Sequence, residues 1–134
     1  MSISNLQRQH TEIAKIIEEI QRMLDDKTVT DNSNQISLNI GTLAGKLQNH
    51  LLLEDKFLYP SLLNHRDQHI QTISKRFMEE MGNLKEVFTT YKNKYMIANN
   101  IRSNPQNFIK DSNAVFVAIQ KRVVAEESEL YPIV

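Results

Sequence analysis

Residues 34–60 of the chain read NQISLNIGTLAGKLQNHLLLEDKFLYP, and this stretch decides the class of fold. Its apolar residues recur every three or four positions, the spacing that places side chains on one face of an α-helix. The stripe continues through two polar residues, and its members are Ile36, Ile40, Leu43, Leu47, His50, Glu54 and Phe57. Pro60 cannot continue a regular helix because it lacks a backbone N–H group. We therefore predict an amphipathic helix over residues 34–59.

Three further stretches carry the same helical spacing. They cover residues 4–26, 64–98 and 105–131, and the segments between them are rich in Asn, Asp and Ser. We expect Asn104 to cap the last helix, Pro105 to occupy its first turn and Pro132 to end it. The chain has only three glycines, and Gly82 lies within the third predicted helix, so turn residues are too few for an all-β protein. We predict an all-α, up-down-up-down four-helix bundle that forms a single domain over residues 1–134.

The composition excludes several classes of function. The 134 residues include no cysteine, which excludes disulfides, thiolate metal sites and a cysteine nucleophile. Sixteen basic residues balance sixteen acidic ones, so no net charge attracts nucleic acid or an anionic membrane. No glycine-rich phosphate-binding loop, apolar leader or membrane-length apolar stretch is present in the sequence. We predict a soluble, cytoplasmic protein.

Polar side chains interrupt the apolar stripes at four positions. They are His10 on the first predicted helix, His50 and Glu54 on the second, and Glu126 on the fourth. A carboxylate buried without a partner would cost several kcal/mol or take up a proton. In an antiparallel bundle His10, Glu54 and Glu126 fall at the same height, roughly 8–10 Å from one end. We therefore expect the two imidazoles and two carboxylates to share a partner.

Two kinds of partner fit this pattern. Residues 54–60 (EDKFLYP) and 126–132 (EESELYP) read alike, as two matched halves of one site would. A metal ion could lie between these halves. Arg122, one helical turn before Glu126, could instead supply the positive charge and form a buried ion-pair cluster with Glu126, Glu54 and Glu80. The direction of the Arg122 side chain separates the two interpretations, because an arginine that extends to solvent leaves Glu126 able to bind a metal.

On these motifs the sequence resembles the hemerythrin-like, or HHE cation-binding, family over its whole length. That family has a histidine on the first helix, His-x-x-x-Glu with a following Leu-Tyr/Phe-Pro on the second, a histidine on the third and another His-x-x-x-Glu on the fourth. His10 matches the first element, His50 and Glu54 with residues 58–60 match the second, and Glu126 matches half of the fourth. The resemblance implies a carboxylate-bridged di-iron centre that binds or senses oxygen and related small molecules.

Two positions depart from the family pattern. Arg122 occupies the place of the histidine on the fourth helix, and Met81, with Glu80 beside it, falls at the height of the histidine on the third. His65 and His69 have the i, i+4 spacing of a metal pair, but His69 would lie roughly 18 Å beyond the site along the bundle axis. The predicted metal ligands are His10, His50, Glu54 and Glu126, with Glu80 as a fifth donor and with Arg122 and Met81 lining the site.

This reduced ligand set favours one ion, or two weakly held ions, over a full oxygen-carrying centre. Carboxylate and imidazole donors favour non-haem iron, with manganese or zinc as other candidates. We predict a protein that senses or handles oxygen, related small molecules or iron and is not an enzyme. A further interpretation is an enzyme that uses the carboxylates for oxygen or peroxide chemistry. The alternative is a metal-free interaction or regulatory module in which Arg122 replaces the charge of the metal and the partner is a protein. None of these interpretations includes nucleic acid or a membrane as a partner.

Overall fold

Helices follow one another with short connections throughout residues 2–134, the part of the chain that the computed structural model describes. No strand occurs among those residues. The helices are α1 (Ile3–Gln21), α2 (Asp26–Asp31), α3 (Ser33–Leu53), α4 (Tyr59–Leu63), α5 (Gln68–Met81), α6 (Leu84–Tyr95), α7 (Ala98–Ser103) and α8 (Pro105–Ala125). The first π-turn (Glu54–Leu58) follows α3, and the second π-turn (Glu126–Leu130) follows α8 and precedes a short 3-10 turn, Tyr131–Ile133. The predicted all-α class is confirmed.

The long helices pack side by side as a helical bundle. α1 packs along α3, α3 contacts α6, and α8 packs along α6 and also contacts α1. Asn104 caps α8 as predicted, because its side chain accepts a hydrogen bond from the Asn107 N–H group at 3.1 Å. Within the described part of the chain, no helix has the length and apolar character needed to cross a bilayer.

Two separate apolar clusters fill the interior of the bundle. The larger one is built around residues such as Ile13, Leu47, Phe88, Phe116 and Ile119. The smaller one consists of Leu6, Leu58, Tyr59, Leu62, Phe77, Leu130 and Tyr131. Along the chain His10, His50 with Glu54, and Arg122 with Glu126 lie between members of the two clusters. A buried polar layer therefore separates the two apolar regions.

The prediction that Pro60 ends its helix is wrong, whereas Pro132 lies in a short 3-10 turn after the last helical segment, close to the predicted end. The chain stays helical beyond residue 60, as α4, and passes from the second π-turn into the 3-10 turn that contains Pro132. A wider turn before each proline explains the difference. In a regular α-helix the proline ring would clash with the carbonyl group four residues earlier, Lys56 in the case of Pro60. A turn closed between residues five apart removes that conflict without ending the helix.

The prediction of one continuous helix over residues 64–98 is also wrong. The chain breaks between α5 and α6 at Gly82 and Asn83, both poor helix formers. The Gly82 N–H group still bonds the Met78 carbonyl oxygen, and a Cβ atom at position 82 would overlap that oxygen. Short helices also form in predicted connections: α2 is capped by the Asp25 side chain, and α7 buries Ile101 completely.

Candidate metal centre

The four polar residues of the apolar stripes meet in the buried layer. His10 lies on α1 and His50 on α3, while Glu54 and Glu126 are the first residues of the two π-turns. One ligand atom from each residue falls within a group whose members all lie within 4.8 Å of one another. Each of the four residues is at most 3% exposed. The structure thus brings together all four residues that the sequence marked as the principal metal ligands.

The spacing of these atoms suits a single metal ion. The Nε2 atom of His10 lies 3.0 Å from Nε2 of His50 and 3.1 Å from Oε1 of Glu126. The Nε2 atom of His50 lies 3.2 Å from Oε1 of Glu54 and 3.8 Å from Oε1 of Glu126. Ligand atoms at about 2.1 Å from one ion are separated by about 3.0–3.4 Å at neighbouring positions. Three of the four separations lie in this range, and the fourth, 3.8 Å, is wider. The residues present therefore fit a metal ion in chemistry and come close to the spacing that one ion requires.

Hydrogen bonds at the outer ring nitrogens orient the two imidazoles. The Nδ1 atom of His10 lies 3.0 Å from Oε1 of Glu127, and Nδ1 of His50 lies 2.7 Å from the amide Oε1 of Gln9. Each outer partner accepts the ring proton and turns Nε2 toward the cluster, an arrangement that is common around metal-bound histidines. Gln9 and Glu127 were not predicted from the sequence. Their sequence signal is adjacency, since each directly neighbours a cluster residue.

Arg122 is directed into the cluster and not toward solvent. Its guanidinium group lies 3.3 Å from Oε1 of Glu54 and 3.5 Å from Oε2 of Glu126. The side chain is only 7% exposed and passes over the ring of Tyr59, with 5.7 Å between the guanidinium carbon and the ring centre. In the matched halves of the site Arg122 corresponds to His50, because each precedes its glutamate by four residues. A positive charge therefore already lies beside both carboxylates.

The two π-turns bring a tyrosine to the face of each glutamate. The Tyr59 N–H group donates to the Glu54 carbonyl oxygen, and the Tyr131 N–H group donates to the Glu126 carbonyl oxygen. In a regular α-helix a residue five positions later would lie about 140° around the axis. In a wider turn closed over five residues, the tyrosine instead lies on nearly the same face of the helix as the glutamate. The Tyr-Pro pairs thus create the wide turns and place the tyrosine rings at the cluster.

The tyrosine hydroxyl groups then cross between the two halves of the site. The hydroxyl of Tyr59 donates to Oε2 of Glu126 at 3.1 Å, and that of Tyr131 donates to Oε2 of Glu54 at 3.0 Å. Tyr131 also lies 3.2 Å from Nε2 of His10. The repeated Leu-Tyr-Pro segments are visible in the sequence, but the place of the two tyrosines in the site was not predicted from them. Among the buried side chains described, no polar atom of the site lacks a hydrogen-bonding partner.

Burial and the neighbouring charges set the protonation of the cluster. Burial raises the pKa of Glu54 to about 7, and the nearby Glu126 adds to this increase. Burial would lower the pKa of His50, but its interactions with the two carboxylates outweigh burial and raise the pKa to about 9. Burial likewise opposes ionisation of Glu126, yet hydrogen bonds and the charge of Arg122 hold its pKa well below the ordinary 4.5. At neutral pH His50 therefore carries a proton that a metal ion would displace.

The other candidate residues of the sequence analysis do not join the cluster. Glu80 is exposed on the surface of α5, where it lines a groove with Lys121, so the structure does not place it as a fifth donor. His65 and His69 are exposed near the start of α5. The Nδ1 atom of His65 accepts a hydrogen bond from the Asp67 N–H group, and the His69 N–H group donates to the Asp67 carboxylate. The side chain of Met81 lies outside the described part of the structure.

The helical bundle and its buried His/Glu layer define a class of bundle proteins that are suited to holding a metal cation between helices. The family model of the hemerythrin HHE cation binding domain matches residues 1–134. The chain belongs to this family, and the resemblance noted in the sequence is confirmed. No curated protein and no solved structure matches the chain significantly.

Proposed function

We propose that the chain binds one metal ion through His10, His50, Glu54 and Glu126, and that this ion is iron. The observation that carries the proposal is the convergence of four ligand atoms within 4.8 Å in a buried layer. The outer hydrogen bonds of the two imidazoles support it, because they turn Nε2 toward the cluster. Two imidazoles and two carboxylates suit iron, manganese or zinc, and four donors are enough for one ion.

In this proposal the ion lies within an up-down-up-down bundle of four helical segments, which are α1, α3, α5 together with α6, and α8. Iron, when bound, supplies coordination positions for a small molecule such as oxygen. A site with only two imidazoles suits sensing, or the handling of iron, better than oxygen storage or turnover of a substrate. An interacting protein, the cytoplasmic location and the absence of nucleic-acid or membrane binding stay predictions.

A specific observation favours a second candidate function. The guanidinium group of Arg122 lies within 3.5 Å of an oxygen atom of both Glu54 and Glu126, where it balances their charge without a metal. Under this alternative the layer is a structural ion-pair network and the chain acts as an interaction or regulatory module. The two candidates differ in one measurable property, which is whether the folded protein takes up a metal.

Metal content after loading tests the proposal. The purified protein is loaded anaerobically with ferrous iron, and in parallel with zinc or manganese, then desalted and analysed for metal. Glu54→Gln removes a charged donor from the cluster with little change in shape. Glu80→Gln is the matched control, because it makes the same chemical change at an exposed glutamate outside the cluster. Arg122→Gln removes the competing positive charge.

The expected result is near-stoichiometric metal in the wild type and in Glu80→Gln, with most of it lost in Glu54→Gln. Equal metal content in Glu54→Gln and Glu80→Gln would place the ion elsewhere and contradict the proposal. Absence of all three metals from the wild type would also contradict it. Uptake that appears only in Arg122→Gln would establish the second candidate, with the arginine in the place of an ion.

A further inference from the structure

The hydroxyl oxygen of Tyr131 lies among the ligand atoms of the cluster. It is 3.2 Å from Nε2 of His10 and 3.0 Å from Oε2 of Glu54. The separation from His10 lies in the range of about 3.0–3.4 Å expected between neighbouring ligands of one ion. The contact with Glu54 is to the second oxygen of that carboxylate, since Oε1 is the oxygen that faces His50. Tyr131 is only 4% exposed, so its oxygen faces the layer in a site largely closed to water. The phenol oxygen of Tyr131 therefore gives the cluster a fifth donor atom suited to bind metal.

Tyr59, the equivalent residue in the other half of the site, is placed differently. Its hydroxyl contacts a single member of the cluster, Oε2 of Glu126. That oxygen is the one Arg122 approaches, whereas Oε1 of Glu126 faces the histidines. The ring of Tyr59 also lies beneath the Arg122 guanidinium. The phenol of Tyr59 is therefore directed to the arginine side of the layer, and Tyr131 to the histidine side.

The position of Tyr131 is held by packing as well as by hydrogen bonds. Its ring stacks on the His10 imidazole, with 5.4 Å between ring centres and 13° between ring planes. The second π-turn fixes its backbone through the hydrogen bond to the Glu126 carbonyl oxygen. The phenol oxygen is thereby held within 3.2 Å of an atom of both His10 and Glu54.

We propose that Tyr131 is a fifth protein ligand and binds ferric iron through its phenol oxygen. This inference rests on the proposed function, since it requires that the cluster hold a metal. Phenolate oxygen is a hard, anionic donor and suits ferric iron. Binding forms one iron–oxygen bond and releases the hydroxyl proton to solvent, with no transfer of electrons. The site has one histidine ligand fewer than the family pattern, because Arg122 occupies that position. The phenol oxygen of Tyr131 supplies a donor that partly makes up for this loss.

Visible absorption spectroscopy with metal analysis on the same samples tests the inference. The protein is loaded with ferric iron supplied as a soluble citrate chelate and then desalted. Iron bound by phenolate shows a ligand-to-metal charge-transfer band in the visible range, which carboxylate and imidazole ligands alone do not produce. Tyr131→Phe removes only the hydroxyl oxygen, and Tyr59→Phe makes the same change in the matched tyrosine. Circular dichroism confirms that each variant is folded.

We expect the band in the wild type and in Tyr59→Phe and its complete loss in Tyr131→Phe. Tyr131→Phe should still take up iron at saturating concentration through the other four ligands, with affinity lowered at least about tenfold. If Tyr131 had a purely structural role, the Tyr131→Phe protein would either lose both the iron and the band or keep both.

The failures of the two proposals can be told apart. Bound iron without a visible band in the wild type, or a band that survives in Tyr131→Phe, would overturn the tyrosine ligand and leave the metal site standing. Absence of any bound metal would overturn both proposals. If zinc or manganese binds in place of iron, the ultraviolet difference band of tyrosinate on metal addition is the readout. Its absence from the wild type would equally overturn the role of Tyr131.

Discussion

Replacing Arg122 with glutamine tests the central electrostatic feature of the buried layer. The substitution removes the guanidinium group that lies 3.3 Å from Glu54 and 3.5 Å from Glu126. Glutamine keeps a polar side chain of moderate size but carries no charge. Two buried carboxyl groups then face one another with less positive charge nearby, which is costly in a medium of low polarity.

The magnitude is bounded by the cost of protonating Glu126, the carboxyl group whose pKa Arg122 helps to hold well below its ordinary value. The pKa of an ordinary glutamate is 4.5, and each pKa unit is worth about 1.4 kcal/mol. Protonating Glu126 at pH 7 therefore costs about 3 kcal/mol, and at pH 5 less than about 1 kcal/mol. We expect Arg122→Gln to lower the free energy of unfolding of the metal-free protein by up to these amounts. The loss grows with pH, because the arginine stabilises the ionised carboxylate.

Urea denaturation followed by circular dichroism measures the effect at pH 5 and pH 7. Arg76→Gln is the matched control, because its ion pair with Glu129 is longer, 3.8 Å, and both side chains are more than half exposed. An exposed pair of this kind contributes less than about 1 kcal/mol. Equal, pH-independent losses for Arg122→Gln and Arg76→Gln would refute the argument that Arg122 balances buried carboxylates.

Three further predictions concern the metal-free protein. Its unfolding free energy should fall as pH rises, because the raised pKa of His50 stabilises the fold fully below pH 6.5 and this contribution is lost as pH passes about 9; flat stability from pH 6 to 9 would contradict this. Asn104→Ala should cost about 1 kcal/mol through loss of the α8 cap, measured by thermal denaturation against the exposed Asn113→Ala. Phe116→Ala should cost about 3–5 kcal/mol in urea denaturation, because the ring is fully buried; a loss below about 1 kcal/mol would be inconsistent with that packing.

Much of the fold and of the candidate site could be predicted from the spacing of residues along the chain. The helical period couples sequence position to helix face, so His50 and Glu54 had to share a face with the apolar residues before them. The placement of His10 and Glu126 at one height followed from the rise per residue. All four residues meet in the structure, although their binding of a metal stays a prediction.

Local chain geometry at the prolines was not predictable from the same rules. Pro60 and Pro132 signal the end of a helix in most contexts. Here each follows a π-turn, and the chain continues as α4 after the first and as a short 3-10 turn after the second. The wide turn needs stabilisation beyond the local sequence. The hydroxyls of Tyr59 and Tyr131 provide such contacts, since each bonds a carboxylate from the opposite half of the site.

The sequence by itself determined that this protein is helical and that four polar residues interrupt its apolar stripes, because periodicity is a property of the chain. It also determined the family. Only the tertiary structure decided the direction of Arg122, the crossing of the tyrosine hydroxyls and the pairing of the imidazoles with Gln9 and Glu127. Those features depend on which helices become neighbours and on the side-chain conformations that their packing selects. Glu80 shows the same limit, since its helix turns it to solvent although its sequence position suggested a place at the site.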